Sequence, residues 1–377
     1  MSSHHRPSHL GGRIERNAAQ STPYWSVRVA PPKGAPNVLL IMADDTGFGV
    51  FSTFDGVIPT PDLDRINANS LHYTNFNSTA LCSPTRAALI TGAQPPLDGL
   101  RGGVRAVNGL SRLQPHHDPG QCDHRQDPQG LRLQDIMVWK GPQHSEVRGE
   151  PGRSIRSTGM GLDYFYGFVG GDANQWQPNL FRNTTAIYPY YNNPGWNLVT
   201  AQADDAIQYL DRITAIEIKT SPSCLLRAWL GSRSPSSDTG VDQQDQRHAP
   251  VRQGWNTLRD NVFVNEKRLG VIPQNAKLTP RPDNLLKRWD QLTPEEQKLF
   301  NRQAEVFAAY WAYIDHEIGR VIQHIEDMGK LDNTLIIYLA GDNGNSAEGS
   351  LAGTPNEVAS LQGIDVPVAD QLKLNDA

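Results

Sequence analysis

The chain has 377 residues, a formal net charge of −5 and three cysteines. Such a length can bury a large core and suggests one big α/β domain or two ordinary ones. The charge leaves no basic footprint for nucleic acid, and no apolar run approaches the ~18 residues of a membrane span, so neither a nucleic acid nor a membrane is expected as a partner.

The first residues, M-S-S-H-H-R-P-S-H-L-G-G, lack the apolar centre of a secretory signal. Residues 1–36 therefore read as a mobile tail ahead of a folded domain at 37–377, with the cytoplasm as the default location. The run N-V-L-L-I-M, residues 37–42, is continuous and apolar and breaks at A-D-D-T-G-F-G. That pattern predicts a buried parallel strand and the loop at its carboxyl end. At T-P-D-L-D-R-I-N, Thr60 is the expected N-cap, with proline in the first helical position and an early aspartate.

Near the other end, Thr293-Pro294-Glu295-Glu296 is a capping box. Behind it Phe307, Trp311, Ile314, Ile318, Val321 and Ile325 recur at steps of four and three, which predicts one apolar stripe on a long helix stopped by Gly329. T-L-I-I-Y-L-A, from Thr334, predicts a second buried strand running into G-D-N-G. Strand, helix and strand in this order fit a mostly parallel sheet covered by helices, with ligands at the carboxyl ends of strands.

Two windows, residues 97–157 and about 219–253, are rich in Arg, Gln, Pro, Gly and Ser, show neither helical nor strand periodicity, and hold Cys122 and Cys224. A disordered insertion is one reading. A second follows from taking their codons one base later, where wobble freedom permits a strand-like Y-K-T-S-W-F-G-K-D-H in the first window and an H-A-P-H starting at Ser232 in the second. Both windows are expected to be frameshifted sequence, and codons that forbid the alternative reading would end the idea. The three cysteines cannot all pair and make no metal-ligand spacing, so no disulfide scaffold is expected.

Cys82 lies in T-A-L-C-S-P-T-R-A-A-L-I-T-G. An unpaired cysteine is most often a small buried hydrophobe. Here Pro84 suits a first helical turn, A-A-L-I-T-G continues as a short helix closed by Gly92, and Arg86 lies one turn further along. A thiol at a helix start beside a guanidinium fork makes a pocket for a tetrahedral oxyanion.

These residues resemble the signature of the type I sulfatases, C-[SC]-P-[ST]-R-x-x-L-x-T-G, which Cys82, Ser83, Pro84, Thr85, Arg86, Leu89, Thr91 and Gly92 match throughout. G-M-G-L-D-Y-F-Y-G-F, N-Q-W-Q-P-N-L, R-D-N-V-F-V-N-E-K and L-T-P-E-E extend the likeness as framework and rim segments. The resemblance implies an alkaline-phosphatase-like α/β fold, a mostly parallel sheet flanked by helices. The small carboxyl-terminal subdomain is expected to be missing, because the chain stops at K-L-N-D-A. It implies a sulfuric ester hydrolase of arylsulfatase type acting on a small-molecule sulfate ester, with Cys82 oxidised to formylglycine by a sulfatase-maturing enzyme. A hydrated aldehyde attacks sulfur with one hydroxyl and expels sulfate through the other, an exit that a serine ester lacks.

By the same resemblance Asp44, Asp45, Asp342 and Asn343 are the ligands of a divalent metal, calcium, for which four hard oxygens are suited. Arg86 supports the formylglycine and the metal cluster. Alone, D-D-T-G reads as a strand-ending turn and D-N-G as a loop signal. The family also uses a G-K-x-H strand end and an H-A-P-H-like loop to hold sulfate and protonate the leaving oxygen. Neither is encoded, although the shifted reading supplies both; Lys140, His144, His116 and His117 lie nearby in number without matching neighbours. Impaired activity is therefore expected. A phosphonate or phosphate ester hydrolase of the same superfamily, and a non-catalytic remnant, are the alternatives.

Overall fold

The structure is a computed structural model, and it describes residues 34–79, 85–86, 88–89, 134–139, 164–168, 173–216, 224–231, 254–341, 350–355 and 362–375. The predicted tail falls almost wholly outside them. The described strands are β1 (Asn37–Gly47), β2 (Gln134–Trp139), β3 (Tyr164–Phe168), β4 (Leu180–Arg182), β5 (Thr185–Ile187), β6 (Cys224–Gly231) and β7 (Thr334–Gly341). The helices are α1 (Pro61–Asn67), α2 (Leu198–Ile216), α3 (Trp255–Leu269), α4 (Pro294–Asp327) and α5 (Val368–Asn375).

All seven strands form one sheet in the order β5-β4-β3-β2-β6-β1-β7. Strands β3, β2, β6, β1 and β7 run parallel, and β4 and β5 add an antiparallel edge. The expected α/β sheet is present, and β1 lies within it. Leu39, Leu40, Ile41 and Met42 are all buried, so β1 is covered on both faces, which is why its apolar run does not alternate. Strands β2 and β6 fall inside the two windows where no periodicity was legible. C-L-L-R-A-W-L-G is a mostly apolar run without alternation, which periodicity alone does not identify as a strand.

The long helix follows its prediction closely. Thr293 Oγ1 accepts the amide of Glu296 at 3.2 Å and Glu296 Oε2 accepts that of Thr293 at 2.9 Å, closing the capping box. Trp311, Ile314, Ile318, Val321 and Ile325 are buried and Phe307 packs against them; the helix ends at Asp327, with Gly329 at φ +65°. This stripe faces β1, β7, α1 and α2 in a single core. Trp311 is 0 % exposed and its ring meets Phe51 edge to face at 5.1 Å. Trp311→Ala is expected to cost about 3–5 kcal/mol of stability, read as a lowered midpoint in chemical denaturation with little change in slope.

The start of α1 departs from its prediction in one respect. Pro61 does occupy the first turn, but the Thr60 side chain caps nothing. Its hydroxyl lies 3.0 Å from that of Ser52. The amides of Asp62 and Leu63 are taken instead by the two carboxylate oxygens of Asp315 on α4, at 2.9 and 3.0 Å. A side chain 253 positions away does what the local threonine was expected to do.

Candidate active site

The geometry of the site begins with an irregularity at the end of β1. Between Met42 and Gly47 β1 advances five residues while β7, from Leu339 to Gly341, advances two. The surplus residues include Asp44 and Asp45, and Asp45 takes a left-handed φ of +52°. Such a bulge re-aims side chains at a strand end and is common beside active sites. On its other side β1 keeps an unbroken register with β6 as far as Asp44 opposite Gly231. The strand thus runs further than its apolar stretch, because β6 and β7 go on pairing with it.

Arg86 arrives at this bulge from a helical stretch in which Thr85, Arg86, Ala88 and Leu89 are described. Those four agree with the helix expected after Pro84; Cys82 and Gly92 lie outside the described residues. One guanidinium nitrogen, Nη2, donates to Asp44 Oδ2 at 2.7 Å. The Arg86 side chain is 1 % exposed and that of Asp44 12 %. Arginine keeps its charge under such burial, and a charge-assisted contact of this length is among the stronger ones. Two sequence signals 42 positions apart, the cysteine motif and the first acidic pair, therefore share one buried ion pair.

Thr79 and Thr85 are also tied to each other. The hydroxyls of Thr79 and Thr85 are 2.5 Å apart, and Thr85 Oγ1 also donates to the Thr79 carbonyl at 3.3 Å. Asp342 and Asn343 follow Gly341 in the chain and lie outside the described residues, as do Lys140, His144, His116 and His117. Among the described residues no cluster of three or more His, Cys, Asp or Glu side chains forms. What the structure does bring together is Asp44, Asp45 and Arg86, together with the carboxyl ends of β1, β6 and β7. The donor set suits a hard cation: Asp44 and Asp45 supply carboxylate oxygens, and one guanidinium fixes the orientation of the first.

Two of the segments expected to be framework or rim make contacts within the fold. Tyr164 of β3 donates to Asp205 Oδ2 at 2.6 Å and Arg182 bonds Oδ1 of the same carboxylate at 2.5 Å, tying β3 and β4 to α2. Burial, reinforced by that carboxylate, pushes the Tyr164 hydroxyl well above the usual tyrosine range. Gln175 accepts the Tyr310 hydroxyl at 2.7 Å, joining N-Q-W-Q to the long helix. No helix among the described residues is long and apolar enough to cross a membrane.

Comparison with known proteins identifies the architecture. The structure superposes on a putative sulfatase from Bacteroides fragilis with a TM-score of 0.52, covering 83 % of this chain and 63 % of that one, at 16 % identity. At that identity the likeness shows the fold. In sequence, the chain is 28 % identical over 332 residues to an uncharacterised sulfatase of Schizosaccharomyces pombe, covering 84 % of this chain and 58 % of that protein. It is 26 % identical over 322 residues to an arylsulfatase of Klebsiella aerogenes, covering 83 % and 67 %. It is 42 % identical over 325 residues to human N-acetylgalactosamine-6-sulfatase, covering 82 % and 50 %. The chain thus spans about half to two thirds of the length of these curated relatives. The sulfatase family matches residues 36–121 and 135–368, and the gap between the two stretches falls inside the first irregular window. With the signature at Cys82 and most of its length so matched, the chain belongs to the sulfatase family, the type I sulfatases of the alkaline-phosphatase-like superfamily.

Proposed function

We propose that this chain is a sulfuric ester hydrolase of the arylsulfatase type, acting on small-molecule sulfate esters, with a formylglycine derived from Cys82 and a divalent cation, calcium, held by Asp44, Asp45, Asp342 and Asn343. The observation that carries the reading is the buried Arg86–Asp44 pair, which places the helix following the cysteine motif against the first acidic loop. Sulfatases generally depend on formylglycine and on a metal. The cation, when bound, would offset negative charge on the ester.

The roles of this chain's own groups follow from their placement. Arg86 holds the Asp44 carboxylate in one orientation and brings positive charge to a buried position beside it. The bulge at Met42–Gly47 turns Asp44 and Asp45 away from the regular ladder. Leaving-group protonation has no matching encoded histidine, so turnover is expected to be low. In this reading the chain is one domain from 37 to 377 whose two irregular windows are frameshifted. A phosphonate ester hydrolase is the second reading, since the same aldehyde can attack phosphorus.

The test is coexpression with a sulfatase-maturing enzyme, then mass spectrometry of the Cys82 peptide and hydrolysis assays on matched aryl sulfate and aryl phosphonate. The expected result is an aldehyde at position 82 and slow sulfate release that Cys82→Ala abolishes. A thiol that stays unmodified removes the aldehyde chemistry. A clear preference for the phosphonate substrate transfers the chain to the second reading.

A further inference from the structure

We propose that Asp315, in the middle of α4, is a positioning residue that holds the loop between β1 and α1 and, through it, the bulge carrying Asp44 and Asp45. This rests on the reading that those two carboxylates bind a metal.

One face of α4 grips the whole segment from Phe51 to Leu63. Trp311, Asp315 and Gly319 are spaced at i, i+4 and i+8 and therefore lie along one stripe of the helix. Trp311 packs on Phe51, which is 0 % exposed. Asp315, 1 % exposed, spends both oxygens on the amides of Asp62 and Leu63. At Gly319 an added Cβ would stand 2.1 Å from Asp62 Cγ, so the glycine leaves the room that the Asp62 side chain occupies against α4.

Between these anchors the loop is closed on itself. Ser52 N–H donates to the Ile58 carbonyl and Ile58 N–H to that of Val50, each at 2.8 Å. Ser52 Oγ accepts the Thr60 amide at 2.8 Å and donates to Asp64 Oδ2 at 2.9 Å, while Thr53 donates to Asp64 Oδ1 at 2.5 Å. A closed loop moves as a body. Its first residue, Phe48, directly follows Gly47, the last residue of β1. A shift at Asp315 is therefore passed to Asp44 and Asp45 along a short, internally bonded path. The contribution is separate from that of Arg86, which bonds the Asp44 carboxylate directly.

The Asp315 carboxyl is also poised to change state. Burial pushes it up to about 7, against the two amide hydrogen bonds that favour the charged form. Asp62 and Asp64 of α1 face it with like charge, and Tyr338 of β7, its own hydroxyl raised by burial, lies within its field. Ionised, the group offers two full acceptors to two amides; protonated, it turns one oxygen into a hydroxyl. Stability responds the other way. An unfolded aspartate titrates near 3.9, so between about pH 4 and about pH 7 the folded chain keeps a proton that the unfolded chain has released. The stability contributed by this group is full below about pH 4 and is lost as pH rises to about 7.

The test compares the parent chain with Asp315→Asn, and with Thr293→Ala, which loosens the same helix at its far end. Amide exchange by mass spectrometry and calcium titration calorimetry need neither substrate nor a converted Cys82. Asp315→Asn is expected to exchange faster across residues 44–63, to bind calcium about tenfold more weakly, and to lose the downward slope of stability between about pH 4 and about pH 7. Thr293→Ala leaves the exchange of 44–63 and the calcium affinity unchanged. Parental exchange and calcium affinity in Asp315→Asn overturn the proposal, as does an equal effect from Thr293→Ala. If Asp315→Asn does not fold, Asp315→Glu decides it: faster exchange across residues 44–63 and weaker calcium binding are expected, and parental values for both overturn the proposal. A parent that binds no calcium, with the exchange result as expected, removes the metal reading and leaves the positioning role standing.

Discussion

A chain whose two irregular windows are rebuilt in the one-base-later reading is expected to hydrolyse an aryl sulfate about 10²- to 10⁴-fold faster than the encoded chain, the usual worth of a placed general acid. β2 ends at Trp139 and β6 at Gly231, and both run parallel to β1, so their carboxyl ends emerge at the edge that carries Asp44. In the rebuilt reading G-K-D-H begins at the last position of β2, and H-A-P-H begins directly after Gly231, the residue opposite Asp44. A lysine and three histidines would thus leave the sheet at the edge that carries the acidic pair. Steady-state kinetics on both chains, each with Cys82 conversion verified, reads the effect in kcat. Equal rates at equal conversion would show that the missing acid lies elsewhere, and genomic codons that forbid the shifted reading would remove its premise.

Arg86→Ala is expected to cost about 3–5 kcal/mol of stability, because it breaks a largely buried ion pair by removing one partner. The same change is expected to lower kcat by about 10²- to 10³-fold, the range seen when one placed electrostatic donor is removed. Arg86→Lys keeps a charge but presents a single flexible ammonium in place of a planar fork, so its losses should fall between those of the parent and the alanine variant. Thermal denaturation and hydrolysis measured on the same three preparations separate the two effects. A denaturation midpoint for Arg86→Ala equal to that of the parent would mean that Asp44 is already compensated by other groups.

How much of this could be read from the sequence depends on how local each signal is. The capping box at Thr293 and the stripe from Phe307 to Ile325 are local and appear where expected. The cysteine motif led to Arg86 and the two acidic loops. Of these the structure describes Asp44, Asp45 and Arg86, and it joins Asp44 to Arg86. Strands β2 and β6 were not legible, because Q-D-I-M-V-W and C-L-L-R-A-W-L-G carry no regular alternation and the surrounding composition masks them. The cap of α1 was misattributed for a different reason. Thr60 has the right residue type in the right place, but its hydroxyl is engaged by Ser52, and the true acceptor comes from the middle of another helix. The only sequence trace of that partnership is Gly319, a glycine inside an otherwise strong helix one turn beyond Asp315. Pairing of Asp44 with Arg86 left no periodic trace either, since a single long-range ion pair has none.

The position of β1 in the sheet sets the order in which the site can come into being. β1 is the first described strand in the chain, yet its two neighbours are β6 and β7, and Asn37 meets Thr334 across 297 positions. At about 5–20 residues per second of synthesis, roughly 15 to 60 s pass between the two ends of that pairing. Throughout that interval the bulge with Asp44 and Asp45 has no β7 edge to be measured against, and β1 presents an open apolar edge of the kind that invites mispairing. Folding dominated by such distant pairings is slow. An amino-terminal fragment ending before Thr334 would therefore carry the whole cysteine motif and the first acidic pair without the register that turns them into a site, so the smallest unit that can be tested for metal binding includes β7.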